Sequence, residues 1–415
     1  MTSSGPDSAA DERPLFQHRE FAYYWFARFA TYFTIQMQIV AIGWQVWELT
    51  RDPLDLGFVG LAEFVPAIVL GLVTGAVADR YDRRTILMVC YAVEAGCAVA
   101  FFWLTWQGLT HVWPIFVVLV VLGIARAFAG PAGAALMPNL VPKALFGRAV
   151  AWNSMSWQVA TIGGPALGGV VLIFGADVVY AISGVCILIS TLMMWRITPR
   201  PGSGGREPVS WATLLAGLTF IRSRPVIFGA ISLDLFAVLF GGAVALLPVY
   251  ASDILDVGPV GLGLLRAAPG VGAVVIALVL TQKPITHHMG LIMFGCVGLF
   301  GVTIVVFALS TWFWLSLVML TISGAADMVS VYVRQNLVQL GTPDQMRGRV
   351  SAVNSIFIGA SNELGQFRAG VMGAAIGPVG AVLVGGLATV VVTVVWMKLF
   401  PALRDIDRAD QSSAV

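Results

Sequence analysis

Long apolar segments alternate with short polar connections along the whole chain. These segments fall at roughly 21–49, 56–78, 85–107, 113–138, 148–174, 177–198, 224–252, 259–281, 287–309, 312–338, 349–376 and 379–400. Each is long enough to cross about 30 Å of hydrocarbon as an α-helix that rises 1.5 Å per residue. The pattern therefore predicts an all-α membrane protein with twelve transmembrane helices and both ends on one side.

The composition leads to the same class. The 415 residues are 58% hydrophobic and 11% charged, whereas a soluble domain has about 25% charged residues. The net charge of +2 gives no argument for nucleic-acid binding. The four cysteines lie inside apolar segments without metal-ligand spacing, so we interpret them as small core residues and expect no metal site. The polar first 20 residues do not resemble a cleaved signal peptide.

The basic residues predict the orientation. Of 24 Lys and Arg, 18 lie in the tails and in the connections that follow even-numbered segments, and five lie within segments. The opposite connections contain Arg51 alone. Because basic loops are retained in the cytoplasm, both termini are expected there, with the protein in the inner membrane.

The chain divides into two related halves. Pro and Gly interrupt residues 199–208, whereas residues 210–222 have the spacing of a helix that lies on the membrane surface. A shift of 201 residues superposes residues 142–169 on 343–370 with eight identities in 28 positions, where chance would give about two. The predicted regions are an N-terminal tail (1–20), a six-helix bundle (21–198), a linker (199–223), a second six-helix bundle (224–404) and a C-terminal tail (405–415).

The turn after the second segment carries the most specific motif. Residues 75–84 read G-A-V-A-D-R-Y-D-R-R, which resembles the signature loop of the major facilitator superfamily, G-x-x-x-D-R-x-x-R-R. The alternative is a basic turn without a further role. The resemblance implies two six-helix bundles around one central site, which alternate between inward- and outward-facing states. It also implies gate roles for Gly75, Asp79, Arg80, Arg83 and Arg84.

In that gate, Asp79 is expected to contact the start of the eleventh segment at Gly348, because helix N-termini favour an anion. This contact would close the cytoplasmic side. The resemblance implies that the three arginines tie neighbouring helices together.

Ten charged residues lie within the predicted helices, where each costs at least about 2.5–3.5 kcal/mol. They are Arg28, Arg126, Arg266, Arg334, Arg368, Glu63, Glu94, Asp234, Asp327 and Glu363. One interpretation is structural ion pairs between helices, and the other is proton transfer by carboxylates whose charge depends on their surroundings. The proton-coupling candidates are Asp234, Asp327, Glu63, Glu94 and Arg126.

Two of these candidates occupy equivalent positions of the repeat. Arg126 begins a motif similar to the superfamily's fourth-helix pattern R-x-x-x-G-x-x-G-A-A, in which the arginine is linked to proton handling. The shift of 201 residues places Asp327 on Arg126. We expect both side chains to face one cavity.

The first segment carries a polar stripe. Thr31, Thr34, Gln38, Gln45 and Glu48 fall within about 100° of arc on a helix. An unpaired glutamine is costly in lipid, so the stripe faces either protein or water. A packed interface needs fewer polar residues, and a cavity lining is therefore the preferred interpretation. The substrate-cavity candidates are Thr34, Gln38, Gln45, Trp152, Glu363 and Arg368.

The fifth segment contains G-G-P-A-L-G-G at residues 163–169. Physical chemistry alone indicates a bent helix that packs closely on its neighbours. The core Gly164, Pro165, Gly168 and Gly169 resembles the antiporter motif of exporting branches. This resemblance favours export over uptake.

Three further segments give a finer resemblance. They are residues 46–50 with 59–66, residues 346–350 with 363–365 and 368–370, and residues 399–404. Together they are similar to the transmembrane secretion effector branch, which includes enterobactin exporters and is related to macrolide efflux proteins. The sequence has no G-x-x-x-x-G-K phosphate loop, so ATP is not expected as the direct fuel. The four histidines lie in tails, loops or segment ends, which argues against a membrane enzyme.

These observations predict a monomeric, cofactor-free secondary transporter that exports a small amphipathic molecule, such as a siderophore or lipophilic drug, in exchange for protons. Its partners would be that molecule, protons and the lipid bilayer. The alternatives are a proton-coupled uptake symporter, and a lipid translocase or non-transporting receptor.

Overall fold

The computed structural model describes residues 14–198 and 211–408, and this part of the chain is helical almost throughout. Its helices are α1 (Arg19–Thr50), α2 (Pro53–Arg80), α3 (Arg83–Trp106), α4 (Trp113–Leu136), α5 (Phe146–Val171), α6 (Ala176–Trp195), α7 (Trp211–Ser223), α8 (Pro225–Gly241), α9 (Gly258–Gln282), α10 (Met289–Leu309), α11 (Phe313–Leu340), α12 (Asp344–Ile376), α13 (Pro378–Leu399) and α14 (Pro401–Arg404). The predictions for residues 1–13, 199–210 and 409–415 lie outside the described residues.

Ten helices in the described ranges are long and apolar enough to cross a membrane. Helices α1 and α12 are longer, at 32 and 33 residues, and carry more polar side chains. The prediction of an all-helical membrane protein is confirmed. The predicted surface helix at 210–222 appears as α7, which packs on α8 and α12.

Two boundaries differ from the prediction for identifiable reasons. The seventh apolar segment is not one regular helix, because Gly242 has an extended conformation and the chain continues through short irregular turns to Ile254. Helix α12 begins at Asp344 rather than near 349. Its first turn is polar and contains an ion pair between Asp344 and Arg347 at 2.7 Å, so hydropathy alone missed it.

The helices pack in two groups that meet along two interfaces. In the first half, α1 packs on α5 and α6. Helices α3 and α4 pack on each other, α3 also packs on α6, and α4 also packs on α2. In the second half, α11 packs on α9 and α10, and α13 packs on α8, α10 and α12. The halves touch mainly where α2 meets α12 and where α5 meets α9.

One end of the molecule, here called the Arg51 end, brings the halves into close contact. A Cβ added at Gly169 of α5 would lie 2.5 Å from the carbonyl oxygen of Pro259, and one at Gly263 of α9 would lie 2.5 Å from that of Pro165. The α5 and α9 backbones therefore touch at glycines, a contact that larger residues would prevent.

Polar side chains join the halves at the same end. Arg51 donates to Asp253 at 2.8 Å and to Ser252 at 3.2 Å. The indole of Trp47 donates to the same carboxylate at 3.3 Å.

The opposite end, which carries the turns at 80–83 and 340–344 and is called the basic end, is open between the halves. On α5, Ile162 still approaches α9 at Gly270, but Ser154 and Ala151 further along the same face are exposed. On the other interface, Gly71 of α2 and Gly348 of α12 have no atom within 4 Å of an added Cβ. The halves therefore touch at the Arg51 end and separate towards the basic end.

Candidate functional site

A half-buried ion pair marks the middle of the first half. The guanidinium of Arg126 on α4 contacts the Glu63 carboxylate on α2, and the two helices approach closely because Gly123 lies against the Glu63 backbone. Glu94 of α3 is 1% exposed and interacts electrostatically with both partners and with Arg28. Three of the predicted proton-coupling residues therefore belong to one cluster.

The contact between α2 and α12 extends this cluster into the second half. Gly60 of α2 leaves room for the Glu363 carboxylate of α12, which would lie 2.6 Å from a Cβ at that position. Gln366 donates to the same carboxylate at 3.0 Å. Glu363 also interacts electrostatically with Glu63 and with Arg266 of α9. Two acids and a base thus face each other across the contact between the halves.

A second charged cluster lies within the second half. Arg334 of α11 is 3.2 Å from the Asp234 carboxylate of α8 and donates to Asn354 of α12 at 3.0 Å. Asp327 interacts electrostatically with both partners of the ion pair. With Asp234 and Ser330 it lines a cavity of about 10 Å³, enough for roughly one water molecule.

This arrangement corrects the prediction that Arg126 and Asp327 face one cavity. Arg126 points to Glu63, and Asp327 points into the second half, towards Asp234 and Phe300. The repeat places the two residues on equivalent helices, but each finds its partner within its own half.

The polar stripe of α1 also faces its own half, so the cavity interpretation is wrong for Gln45. Its amide donates to Thr105 of α3 at 2.8 Å and accepts from Tyr180 of α6 at 2.8 Å. Thr34 and Gln38 are 2% and 1% exposed on the same side. Gln45 therefore lies in the packed interface that the sequence left as the alternative, whereas Glu48 at the end of the stripe is exposed.

A different face of α1 contacts the second half near one end and α5 of the first half further along. A Cβ at Gly43 would lie 3.3 Å from Pro248, and Gln36 and Tyr32 follow on this arc, more than about 100° from the stripe. Gln36 donates to Thr161 at 3.3 Å, and the Tyr32 ring packs edge-on against half-exposed Trp157 at 5.0 Å.

These α1 and α5 residues lie just beyond the last α5–α9 contact, at the entrance to the space between the halves. Their sequence signal was weak, because one glutamine and one tyrosine do not form a stripe.

Two further cavity candidates point elsewhere. The guanidinium of Arg368 lies beside Gly385 of α13 and donates to the Met372 sulfur at 3.3 Å, so it points into the second half. The Trp152 ring packs against Phe16 and Trp25 at 5.0 and 5.7 Å. It shares an α5 face with exposed side chains, away from α9.

The fifth-helix motif lets α5 touch two helices. Gly164 and Gly168 lie against Gln36 and Met37 of α1, while Gly169 lies against α9. Pro165 is buried within the helix and contributes its carbonyl oxygen to the α9 contact.

Two arginines of the 75–84 motif bind the ends of neighbouring helices. Arg83 donates to the carbonyl of Ala135 at 3.0 Å, and Arg84 donates to that of Met194 at 3.0 Å. Arg80 is exposed, and Gly75 has open space around it. The Asp79 side chain lies outside the described part of the structure, so its predicted contact with Gly348 remains a prediction.

Part of the predicted C-terminal tail is folded onto the basic end. The main-chain N–H groups of Met289 and Gly290 at the start of α10 donate to the carbonyls of Asp407 and Ile406 at 3.2 and 3.1 Å. Hydrogen bonds from His287 and from the main chain of His288 lower the pKa of the Asp407 carboxyl. Ile406 and Asp407 therefore cap α10.

Comparison with solved structures shows which fold the chain has. A bacterial homologue of the human lysosomal transporter Spinster, in an inward-facing and unoccupied conformation, superposes with a TM-score of 0.72 at 13% identity, over 96% of this chain and 98% of that one. A bacterial homologue of the iron transporter ferroportin, also inward-facing, gives 0.70 at 17% identity, over 95% and 100%. With the paired helical halves, these matches show that the chain has the fold of these transporters.

Sequence comparison then identifies the branch. The chain belongs to the transmembrane secretion effector family, whose model matches residues 12–415. The enterobactin exporter EntS of Citrobacter koseri is 27% identical over 396 residues, covering 93% of both chains. The EntS protein of Shigella dysenteriae serotype 1 is 25% identical over 402 residues, again covering 93% of both.

Proposed function

We propose that this protein is a proton-driven exporter of a small amphipathic molecule, either a siderophore or a lipophilic drug. It has twelve transmembrane helices in two six-helix bundles, residues 21–198 and 224–404, and both termini in the cytoplasm. The 18-to-1 distribution of Lys and Arg supports this orientation. The Arg51 end is then extracellular, and the separation at the basic end makes this the inward-facing state.

One observation carries the proposal: ionisable groups from both halves meet where the α2–α12 interface begins to separate. Glu63, Arg126, Arg266 and Glu363 interact at this level, with Glu94 behind them. Rocking of the halves would change their exposure and their neighbours, which is what coupling to proton movement needs. The pair formed by Asp234 and Arg334, with Asp327, offers a second route for a proton.

The proposed cargo rests on two further observations. The named relatives are exporters of enterobactin. The α1–α5 wall offers an aromatic pair, Tyr32 and Trp157, beside the amide of Gln36 and the hydroxyl of Thr161. Flat apolar faces next to hydrogen-bonding groups suit an amphipathic molecule.

The test is uptake of enterobactin and of ethidium into everted membrane vesicles that contain the protein, with and without an uncoupler. Export predicts that at least one probe accumulates in energised vesicles and that the uncoupler abolishes this accumulation. Accumulation only in right-side-out vesicles would indicate uptake instead. Transport that is insensitive to the uncoupler would support a translocase without proton coupling.

A further inference from the structure

We propose that Glu363 is the group that carries the coupling proton, and that its contact with Gly60 links protonation to closure of the Arg51 end. This inference rests on the proposed function, since it assigns a residue to its proton step. It differs from the sequence prediction, in which Glu363 belonged to the substrate cavity.

The position of Glu363 is the first argument. Towards the Arg51 end, contacts of Gly57 with Phe367 and Gly370, and of Pro53 with Gly373, cover it. Towards the basic end, Phe64 and Gly359 form a looser contact, at 3.5 Å from an added Cβ, before the helices separate. Glu363 therefore lies beside the last contact between α2 and α12. Opening of the Arg51 end would uncover it on the opposite side.

The charges around Glu363 are the second argument. The charged groups that act on it are Glu63 from α2 and Arg266 from α9, and no charged group of α7, α8 or α13 among the described residues adds to them. Glu63 already pairs with Arg126. In the described part of the chain, Glu363 has no ion pair within 4 Å, and its hydrogen-bond donor is the neutral amide of Gln366. Its charge is thus less compensated than that of the paired acids.

The internal repeat distinguishes Glu363 from Glu63. A shift of 203 residues superposes Gly60 on Gly263 and places Glu63 on Arg266. The halves therefore contribute opposite charges at equivalent positions, and these two groups would balance each other. Glu363 adds a further acid on the α12 side, and its equivalent at a shift of 201 residues is Ile162, which is apolar.

The sign of the effect follows from these contacts. With the Arg51 end closed, ionised Glu363 and Glu63 would repel each other across the interface, and protonation of Glu363 removes this repulsion. A proton taken from outside therefore favours closure of the Arg51 end. Release of that proton to the cytoplasm, through the open basic end, restores the negative charge of Glu363 and favours reopening of the Arg51 end. One proton enters for each return of the empty carrier, in the direction that export requires.

The experiment measures the distance between spin labels at residues 111 and 311, exposed positions at the Arg51 end of the two halves, as pH is varied without cargo. The native cysteines are replaced first. In the parent protein, which keeps Glu363, we expect the Arg51 end to open as pH rises. Glu363→Gln, which imitates the protonated acid, should keep the Arg51 end closed at all pH values. Glu48→Gln, at an exposed acid at the end of α1, should behave like the parent.

A Glu363→Gln protein that opens with rising pH as its parent does would overturn the proposal. So would a parent distance that does not depend on pH. Monodisperse elution in detergent verifies folding, and Glu363→Asp, which keeps the acid, should restore the pH dependence if the Gln variant is unstable. Proton-driven export with an unchanged pH response in Glu363→Gln would refute this inference alone, whereas absence of proton-driven flux in the wild type would refute the proposed function.

Discussion

Substitution of Gly169 tests whether the halves are in contact at the Arg51 end. The Cβ of Gly169→Ala would lie 2.5 Å from the carbonyl oxygen of Pro259 and 3.0 Å from the Cα of Gly263. Both neighbours are backbone atoms, so the helices must move apart. Overpacking of this kind costs about 1–3 kcal/mol, and the penalty falls on the closed state alone. The ratio of closed to open molecules should therefore fall by a factor of roughly 5–150.

The assay is the distance between spin labels at residues 111 and 311. Gly169→Ala should populate longer distances than the parent. Gly96→Ala is the matched control, because Gly96 is also a helical glycine but has no atom within 4 Å of an added Cβ. If folded Gly169→Ala gives the same distances as the parent and control, the inferred contact between α5 and α9 is wrong.

Three other predictions concern groups away from this contact. Asp234→Asn should cost about 3–5 kcal/mol in the free energy of unfolding, because it leaves Arg334 buried without its counter-ion; thermal unfolding measures this, and an unchanged melting temperature would contradict it. Gln45→Leu should lower stability by about 1–3 kcal/mol but leave probe affinity unchanged, and weaker probe binding would restore the cavity interpretation. Because its pKa is lowered by the His287 contact, Asp407 should hold the C-terminal residues at neutral pH and release them as pH falls through that lowered value. Asp407→Asn should remove this pH dependence in limited proteolysis, and an unaltered dependence would exclude Asp407 as its source.

The sequence predicted the helices well, because hydrocarbon imposes a simple length requirement on them. It failed where polarity or backbone geometry decided the boundary, as in the first turn of α12 and the break at Gly242. The repeat predicts related halves, and this stays a prediction from the sequence. It could not show whether an inward-pointing side chain faces the other half or its own.

The candidate site shows the same limit. The cost of burying charge identified Glu63, Arg126, Asp234 and Asp327 from the sequence, yet their partners depend on three-dimensional packing. Gln45, a member of the polar stripe, makes its hydrogen bonds with Thr105 and Tyr180 of its own half. The position of Glu363 against α2 depends on the close approach of α2 and α12 at Gly60, which the sequence does not show.

The most direct test of the account is simultaneous measurement of cargo and proton movement in proteoliposomes with purified protein and an internal pH dye. The relevant molecules are those oriented to export cargo from the liposome, and the proton gradient is directed inward. For these molecules the account predicts that ethidium or enterobactin moves in the direction opposite to the protons. It also predicts that adding the probe accelerates dissipation of the proton gradient. Probe movement that leaves the proton flux unchanged would contradict it.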